Sequence, residues 1–370
     1  MADLGLYENF LEHARITESL LYRRQSTIFR EMDIAFEIPE PEFVGLFRLN
    51  KSLCRDLIQE LEPHMPGARS GISTSSKVLS TLSFYASGSY QRTIGASAHH
   101  KMHQVSVSNC VRAVTQALNN EHFRRKYIHF PHSREERNII KNGFYQKFRI
   151  PGVIGCIDGT HIAIVRPSQN EERFFNRKRY HSLNTQIICD SELNILSVDA
   201  SHGGATHDSF IWNHHPLKSH LENLHQVQND TLWFLGDSGY ALRPTMMTPI
   251  LNTEPDSPQR YYTDLHCRAR NTVERCIGLL KSRWRCLLVD RKLHYHPTTA
   301  GLIVNACVVL HNICNAARMP VTPLTPQEEE NEVNMQISPE TPARLLARRD
   351  HLAAGESVRN TLVERLWSER

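Results

Sequence analysis

Asp158, Asp237 and Glu274 are the residues of this sequence whose types and settings best fit chemistry on a phosphate ester. Asp158 interrupts an apolar, β-branched run, PGVIGCIDGTHIAIVRP, that reads as a buried strand. An ionised carboxylate there is costly unless it is paired or binds a cation, and the strand itself offers it no Lys or Arg until its far end. Strand alternation puts Asp158 on the face that also carries Thr160 and puts His161 on the other, where a structural or supporting role fits it. Asp237 closes a second apolar strand, TLWFLGDSGYA, between Gly236 and Gly239, which let the chain turn sharply and a ligand approach. Glu274 lies in NTVERCIGLLKSRWRCLL, a helix whose apolar stripe is Val273, Ile277, Leu280 and Trp284, and it falls on the charged side of that stripe.

Three converging carboxylates repel one another unless cations neutralise them, and hard divalent ions, Mg²⁺ or Mn²⁺, suit an all-oxygen set. Two such ions about 4 Å apart could activate a water or hydroxyl and stabilise the leaving oxygen of a phosphodiester. The plainer alternatives stay open from the residues alone: an Asp before Gly is often a turn residue, and a Glu on a charged helix face is often only solvated. Asp199 and Asp208 compete for the same role, as spare ligands or as turn and cap residues.

The elements that must position these acids follow from periodicity. Amphipathic helices are expected over Glu8 to Arg24 and over Phe43 to Leu61. Three more are expected from a Ser/Thr cap near Ser75 to Gly88, from Tyr90 to Ala98, and from Ser106 to Leu118. That order fits a helix-turn-helix with Lys101, Asn109 and Arg112 toward DNA, and it fits plain helical packing equally. From Ile150 the texture changes to a strand, a hairpin turning near Ser191 to Asn194, a helix from Asp208 or Ser209, a strand into Asp237, and two long helices. Strand, strand, strand, helix, strand and then helices is the element order of a ribonuclease-H-like α/β domain. The domains expected are a helical extension over 1–42, a helix-turn-helix-like domain over 43–145 and the α/β domain over 146–318. An acidic, Pro-rich flexible linker over 319–342 and a helical tail over 343–370 complete them.

The composition bounds the function class. A 40% hydrophobic share over 370 residues supplies a real core, so a globular chain is expected. The sequence shows no run of about 18 consecutive apolar residues and no apolar leader, which implies a soluble intracellular protein without a membrane partner. Nine cysteines without a Cys-x-x-Cys pair argue against a zinc ribbon or a disulfide framework. The net charge of +4 is only mildly basic, but it is polarised. Between Asp264 and Lys292 eight basic residues face three acids, whereas Met319 to Pro342 carries five glutamates and no basic residue. Arg270, Lys281 and Arg285 are therefore candidates to hold a phosphate backbone, beside Arg112.

The blocks GVIGCIDGTHIAI, NRKRYHSLNTQIICD, HDSF, FLGDSGYALRPTMMTP, NTVERCIGLLKSRWRCL and CVVLHNIC resemble, in order, those of the PIF/Harbinger transposase superfamily. The likeness extends upstream through LSFYASGSYQRTIG and CVRAVTQAL, so it covers roughly Phe43 to Ala317. It implies a transposase-derived endonuclease, a hydrolase acting on DNA phosphodiester bonds, with Asp158, Asp237 and Glu274 as the acidic triad that holds Mg²⁺ or Mn²⁺. It also implies a place in the nucleus, with the cytoplasm a second possibility, and a Myb-like DNA-binding partner. The segment ASAHHKMHQVSVSNC departs from the family by being about two residues longer and lacking its turn glycine. The alternative is a domesticated DNA-binding or scaffold protein without catalysis, which keeps the acids and has lost the reaction.

Overall fold

The structure, a computed structural model, describes residues 34–65, 71–228, 230–336 and 349–370. The helix expected over Glu8 to Arg24 lies outside them. The chain divides into two compact units, Met1–Ala117 and Leu118–Arg370.

The first unit is helical. The single helix expected from Phe43 to Leu61 is two, α1 (Glu40–Phe47) and α2 (Lys51–Leu61). Arg48 ends the first in the left-handed region at φ 64, and the Asn50 side chain caps the second by accepting from the Leu53 amide. α3 (Thr74–Ser87) starts at a Ser73 cap and stops at Gly88, as its sequence signals ask. α4 (Gln91–Ala96) and α5 (Gln104–Leu118) follow. The connection between these two spans 97–103, longer than the three or four residues of a standard helix-turn-helix. It is nevertheless tight, because a Cβ at Gly95 would stand 2.2 Å from the Met102 carbonyl oxygen. Asn109 and Arg112 are exposed on α5.

The second unit is built on a mixed five-stranded sheet in the order β3-β2-β1-β4-β5. β1 (Val153–Ala163), β2 (Ser182–Cys189) and β3 (Ile195–Gly203) run antiparallel in turn, with the hairpin turning at Asp190 to Asn194. β4 (Trp233–Leu235) and β5 (Met246–Met247) are parallel to β1. One face is covered by α8 (Asp208–His214) and α9 (Pro216–Gln226), which together bury Ile154, Ile157, Trp212, Leu221 and Phe234 in one cluster. One helix was expected there, but Pro216 starts a new one after His215. The other face carries α10 (Pro258–Arg283) and α11 (Pro297–Ala316). α11 holds no run of 18 consecutive apolar residues, being interrupted at Asn305, His311 and Asn312, but by length and mean hydropathy it reaches what a membrane span needs; 72% of its most apolar 18-residue window is buried, as befits a core helix.

Two expected boundaries move. α6 (Glu121–Tyr127) and α7 (Arg134–Phe148) belong with the sheet rather than with the preceding helices. α7 packs on β1, and its Arg137 and Lys141 both bond Asp230 just before β4. The acidic segment is not a linker throughout: 326–336 form helix α12 (Pro326–Gln336), and Glu332 is buried. Its composition is too polar to pack on apolar contacts, so ion pairs to the basic end of α10 seat it instead. The expected polar tail helix, α13 (Arg349–Ser368), is docked on α10 through Leu362, Val363 and Leu366.

Candidate active site

β1 is buried from Val153 to Ile157 and opens at Asp158, because β4 pairs with it only as far as Leu235 opposite Cys156. Beyond that point β4 turns away and one edge of β1 is uncovered. Asp158 lies two residues past Cys156, and Asp237 lies two past Leu235. Both carboxylates therefore lie just beyond the last paired residues of two neighbouring parallel strands, close enough for Asp237 to raise the pKa of Asp158. Asp237 Oδ1 accepts from the Gly239 amide at 3.0 Å, a local turn that fixes the carboxylate as the chain leaves the sheet. Gly236 is required there, since a Cβ would meet the Tyr240 ring at 2.8 Å.

α10 crosses this opening, held to β1 by the Cys156 thiol donating to the Ala269 carbonyl at 3.2 Å. Next in sequence, Arg270 reaches Asp158 Oδ2 with Nη1 at 3.3 Å and bonds Glu274 one turn on with Nη2. Burial works against the Arg270 charge, but Asp158, Glu274 and Asp237 outweigh it and raise its pKa further. The three acids predicted from sequence are thus brought around one guanidinium. Asp158 and Arg270 each keep 18% side-chain exposure and Glu274 keeps 50%.

Burial pushes the Asp158 carboxyl up to about 8; Asp237 and Asp208 add to the rise, while Arg270 and the Gly159 amide oppose it. With no cation present, this carboxyl therefore gives up its proton well above the ordinary carboxylate range. Asp208 is the acid that sequence reasoning underrated. It approaches β1 from the other face, where a Cβ on Gly159 would stand only 2.3 Å from its Oδ1. The Asn184 amide donates to it at 2.6 Å, and burial raises its pKa. Gln186, beside Asn184 on β2, donates to the Tyr240 hydroxyl and to the Asp208 carbonyl, both at 3.3 Å. Tyr240 is buried and its pKa is driven well up, first by burial and then by Asp208, Asp158 and Asp237, so it stays protonated. The signal for this support was in the sequence: Asn-Thr-Gln in the middle of a strand that is buried along its whole length.

The other candidates distribute differently. Asp199 bonds Ser201 and His202 on edge strand β3, away from the opening. His161 pairs with the Ser182 hydroxyl at 2.9 Å, and burial lowers its pKa to about 4, so it is a neutral structural residue. Lys281 is only 3% exposed and bonds Glu332 at 2.7 Å, which removes it from any surface open to a phosphate. Arg285 lies against the Pro323 carbonyl at 2.9 Å and Glu328 at 3.6 Å. Two ion pairs, Lys281–Glu332 and Arg285–Glu328, thus join the basic stretch of the sequence to the acidic one. Arg112 remains an exposed side chain of the first unit.

A divalent cation fits the chemistry of Asp158, Asp237 and Glu274, which offer only carboxylate oxygen. As they stand, no three His, Cys, Asp or Glu side chains among the described residues form a metal-holding group. The guanidinium of Arg270 bridges two of the acids. Asp158 and Asp237 would hold the ion, and Glu274 would join them once released by Arg270.

Residues 157–312 match the family described as DDE superfamily endonuclease, a span from the residue before Asp158 to near the end of α11. The protein is 36% identical over 271 residues to "Putative nuclease HARBI1" of Bos taurus, covering 70% of this chain and 75% of the bovine one. Its human counterpart of the same name is 35% identical over 271 residues, with the same coverage. "Protein ALP1-like" of Arabidopsis thaliana is 25% identical over 209 residues, 50% of this chain and 51% of the plant protein. No solved structure matches the chain. With all three acids inside or spanned by these matches, the chain belongs to the HARBI1 family of Harbinger transposase-derived nucleases, built on a DDE-superfamily endonuclease domain.

Proposed function

We propose that the chain is a divalent-cation-dependent endonuclease that acts on DNA phosphodiester bonds through Asp158, Asp237 and Glu274 on a ribonuclease-H-like domain. What supports this reading is that Asp158 and Asp237 follow the last paired residues of β1 and β4 and that both, with Glu274, act on the charge of Arg270. A divalent cation there supplies the activation of a water or hydroxyl and the neutralisation of charge on the leaving oxygen. The protein's own residues do the rest. Gly239 and the turn at Asp237 fix one carboxylate, β1 presents Asp158, and α10 delivers Glu274 together with Arg270. Gln186 and Tyr240 form a protonated polar floor that adds no further negative charge. Asp158 must give up its proton before it can hold a cation, so cation binding releases protons below about pH 8.

The observation favouring a second reading is Arg270 itself, which satisfies Asp158 and Glu274 internally. A domesticated DNA-binding or scaffold protein would keep such a closed network and do no chemistry. The Asp237→Asn variant separates the two. A nuclease loses Mn²⁺-supported cleavage of duplex DNA while staying folded, and its Mn²⁺-induced rise in melting temperature shrinks, because binding to the native state supplies that rise. A variant that melts lower, yet keeps both the Mn²⁺ shift and the wild-type cleavage, would refute the catalytic assignment.

A further inference from the structure

The segment between β1 and β2 carries Arg173, Arg177, Lys178 and Arg179 within seven residues. Arg173, Phe175, Arg177 and Arg179 are exposed at every second position, with Asn176 buried between them. Phe175 leaves 45% of its surface to solvent, beside His181 with ring centroids 5.2 Å apart. No carboxylate among the described residues pairs with Arg173, Arg177 or Arg179; the nearby Glu171 is taken by Arg166 and His181. Elsewhere in this unit Lys281 is buried in an ion pair, Arg285 lies against Glu328 and Arg270 lies among the site's acids. This short segment sets three exposed guanidinium groups side by side without a carboxylate ion pair, Arg177 meeting only the longer-range charge of Asp208.

The segment is also held in place. Phe175 bridges to His181 as a small antiparallel pair, and the Asn176 amide donates to the Ser182 hydroxyl, which also meets His161. Gly203 and Gly204 form its seat: a Cβ at either would lie 2.1 Å from the Arg173 carbonyl oxygen or the Ser182 hydroxyl. Arg177 Nη2 lies 2.7 Å from a ring nitrogen of His207, which accepts as a neutral imidazole. His207 precedes Asp208, the acid lodged over Gly159. His161 is three residues from Asp158, about 10 Å along a strand.

We propose that Arg173, Arg177 and Arg179 grip the phosphates of the DNA strand that enters the carboxylate site, and that Phe175 packs against its sugars or bases. Fixed guanidinium groups flanking an exposed ring fit a nucleic-acid strand, since charge takes the backbone and the ring takes an apolar or stacking face. An acidic protein surface would match the charges and leave Phe175 unexplained. The proposal rests on the endonuclease reading only for the direction of the strand; the grip itself is a binding property.

Its test is therefore made on binding, with the full chain, in EDTA so that no cleavage intervenes. Fluorescence anisotropy with a labelled duplex of about 30 base pairs gives the affinity and its dependence on salt. Arg173→Ala with Arg179→Ala is expected to weaken binding at least about tenfold at low salt and to flatten the log–log salt slope by about 2, near 0.9 for each phosphate no longer neutralised. Phe175→Ala is expected to weaken binding without changing the slope, because a ring releases no counterions. Arg291→Ala with Lys292→Ala, exposed basic residues outside the segment, serves as the charge control and is expected to leave the slope unchanged. Far-ultraviolet circular dichroism checks that every variant is folded. Equal slopes for the segment variant and the wild type, or equal losses in the segment and control variants, would overturn the proposal. Cleavage by a variant that has lost its slope difference leaves the endonuclease reading standing without this surface. Intact binding by a wild type that never cleaves removes the endonuclease reading and keeps the surface.

Discussion

Replacing Asp158 by Asn tests the electrostatics of the site without any cation. The carboxyl rises from 3.8 in an open chain to about 8 in the folded protein, chiefly because burial disfavours its charge. An acid with a raised folded pKa stabilises the fold most below about pH 4, where both states are protonated. Between there and pH 8 the unfolded chain releases a proton that the folded chain keeps, so stability falls as pH rises, and above 8 it levels off. A gap of about 4 pH units at about 1.4 kcal/mol each sets a ceiling of about 6 kcal/mol on the loss. The side chain keeps 18% exposure and can relax toward water, so about 2–4 kcal/mol is the expected size. The isosteric amide has no such slope. Asp158→Asn should match the wild type near pH 5 to within about 1–2 kcal/mol and exceed it by about 2–4 kcal/mol at pH 9. All four tryptophans, Trp212, Trp233, Trp284 and Trp367, lie in the sheet-bearing unit, so their fluorescence in urea titrations in EDTA reports that unit alone. A stability difference between variant and wild type that stays constant from pH 5 to pH 9 would refute the argument.

Two further outcomes follow from the ion pairs around the site. Arg270→Ala removes the positive charge among Asp158, Asp237 and Glu274, so the cation-free protein should melt lower and its Mn²⁺-induced rise should grow; a rise no larger than wild type in differential scanning fluorimetry would mean that the guanidinium does not compete with a cation. Lys281→Met leaves Glu332 buried without its partner and should cost about 3 kcal/mol by tryptophan fluorescence, most of it recovered by adding Glu332→Gln; a loss below about 1 kcal/mol would show that α12 is not seated by this pair.

Much of the fold was legible because burial writes a pattern. β1 to β3 are long and apolar, α3 is capped by Ser73, two residues before the cap expected near Ser75, and Gly88 stops it where a left-handed residue is needed; α6 and α7 were not anticipated, although Ser133 and Glu136 form a capping box at the start of α7. β4 was expected within TLWFLGDSGYA and is three residues of it, whereas β5, two residues long, is too short for periodicity to speak and is made a strand by parallel pairing with β4. Helix breaks at Arg48 and His215 depend on single residues in a helical background. The triad was visible as acids in costly settings, whereas Asp208 was hidden because its meaning lies in a void. Gly159 has no side chain, and only the folded sheet shows what fills that space.

The charge pattern was read correctly and placed wrongly, for a physical reason that also explains the site. Local charge blocks show how much positive or negative potential a segment carries, not which partner takes it. The basic end of α10 meets the acidic helix α12 inside the same unit, with Lys281 and Glu332 both buried, so that potential is satisfied within the fold. The opposite holds toward the start of the same helix. At Arg270 a single cation faces Asp158, Glu274 and Asp237, and excess negative charge remains. Asp158, whose charge is disfavoured first by burial and then by Asp237 and Asp208, holds a proton far above its ordinary range. A cluster of carboxylates that must both borrow an arginine and keep a proton is one that a divalent cation would relieve on both counts, freeing the guanidinium and displacing the proton.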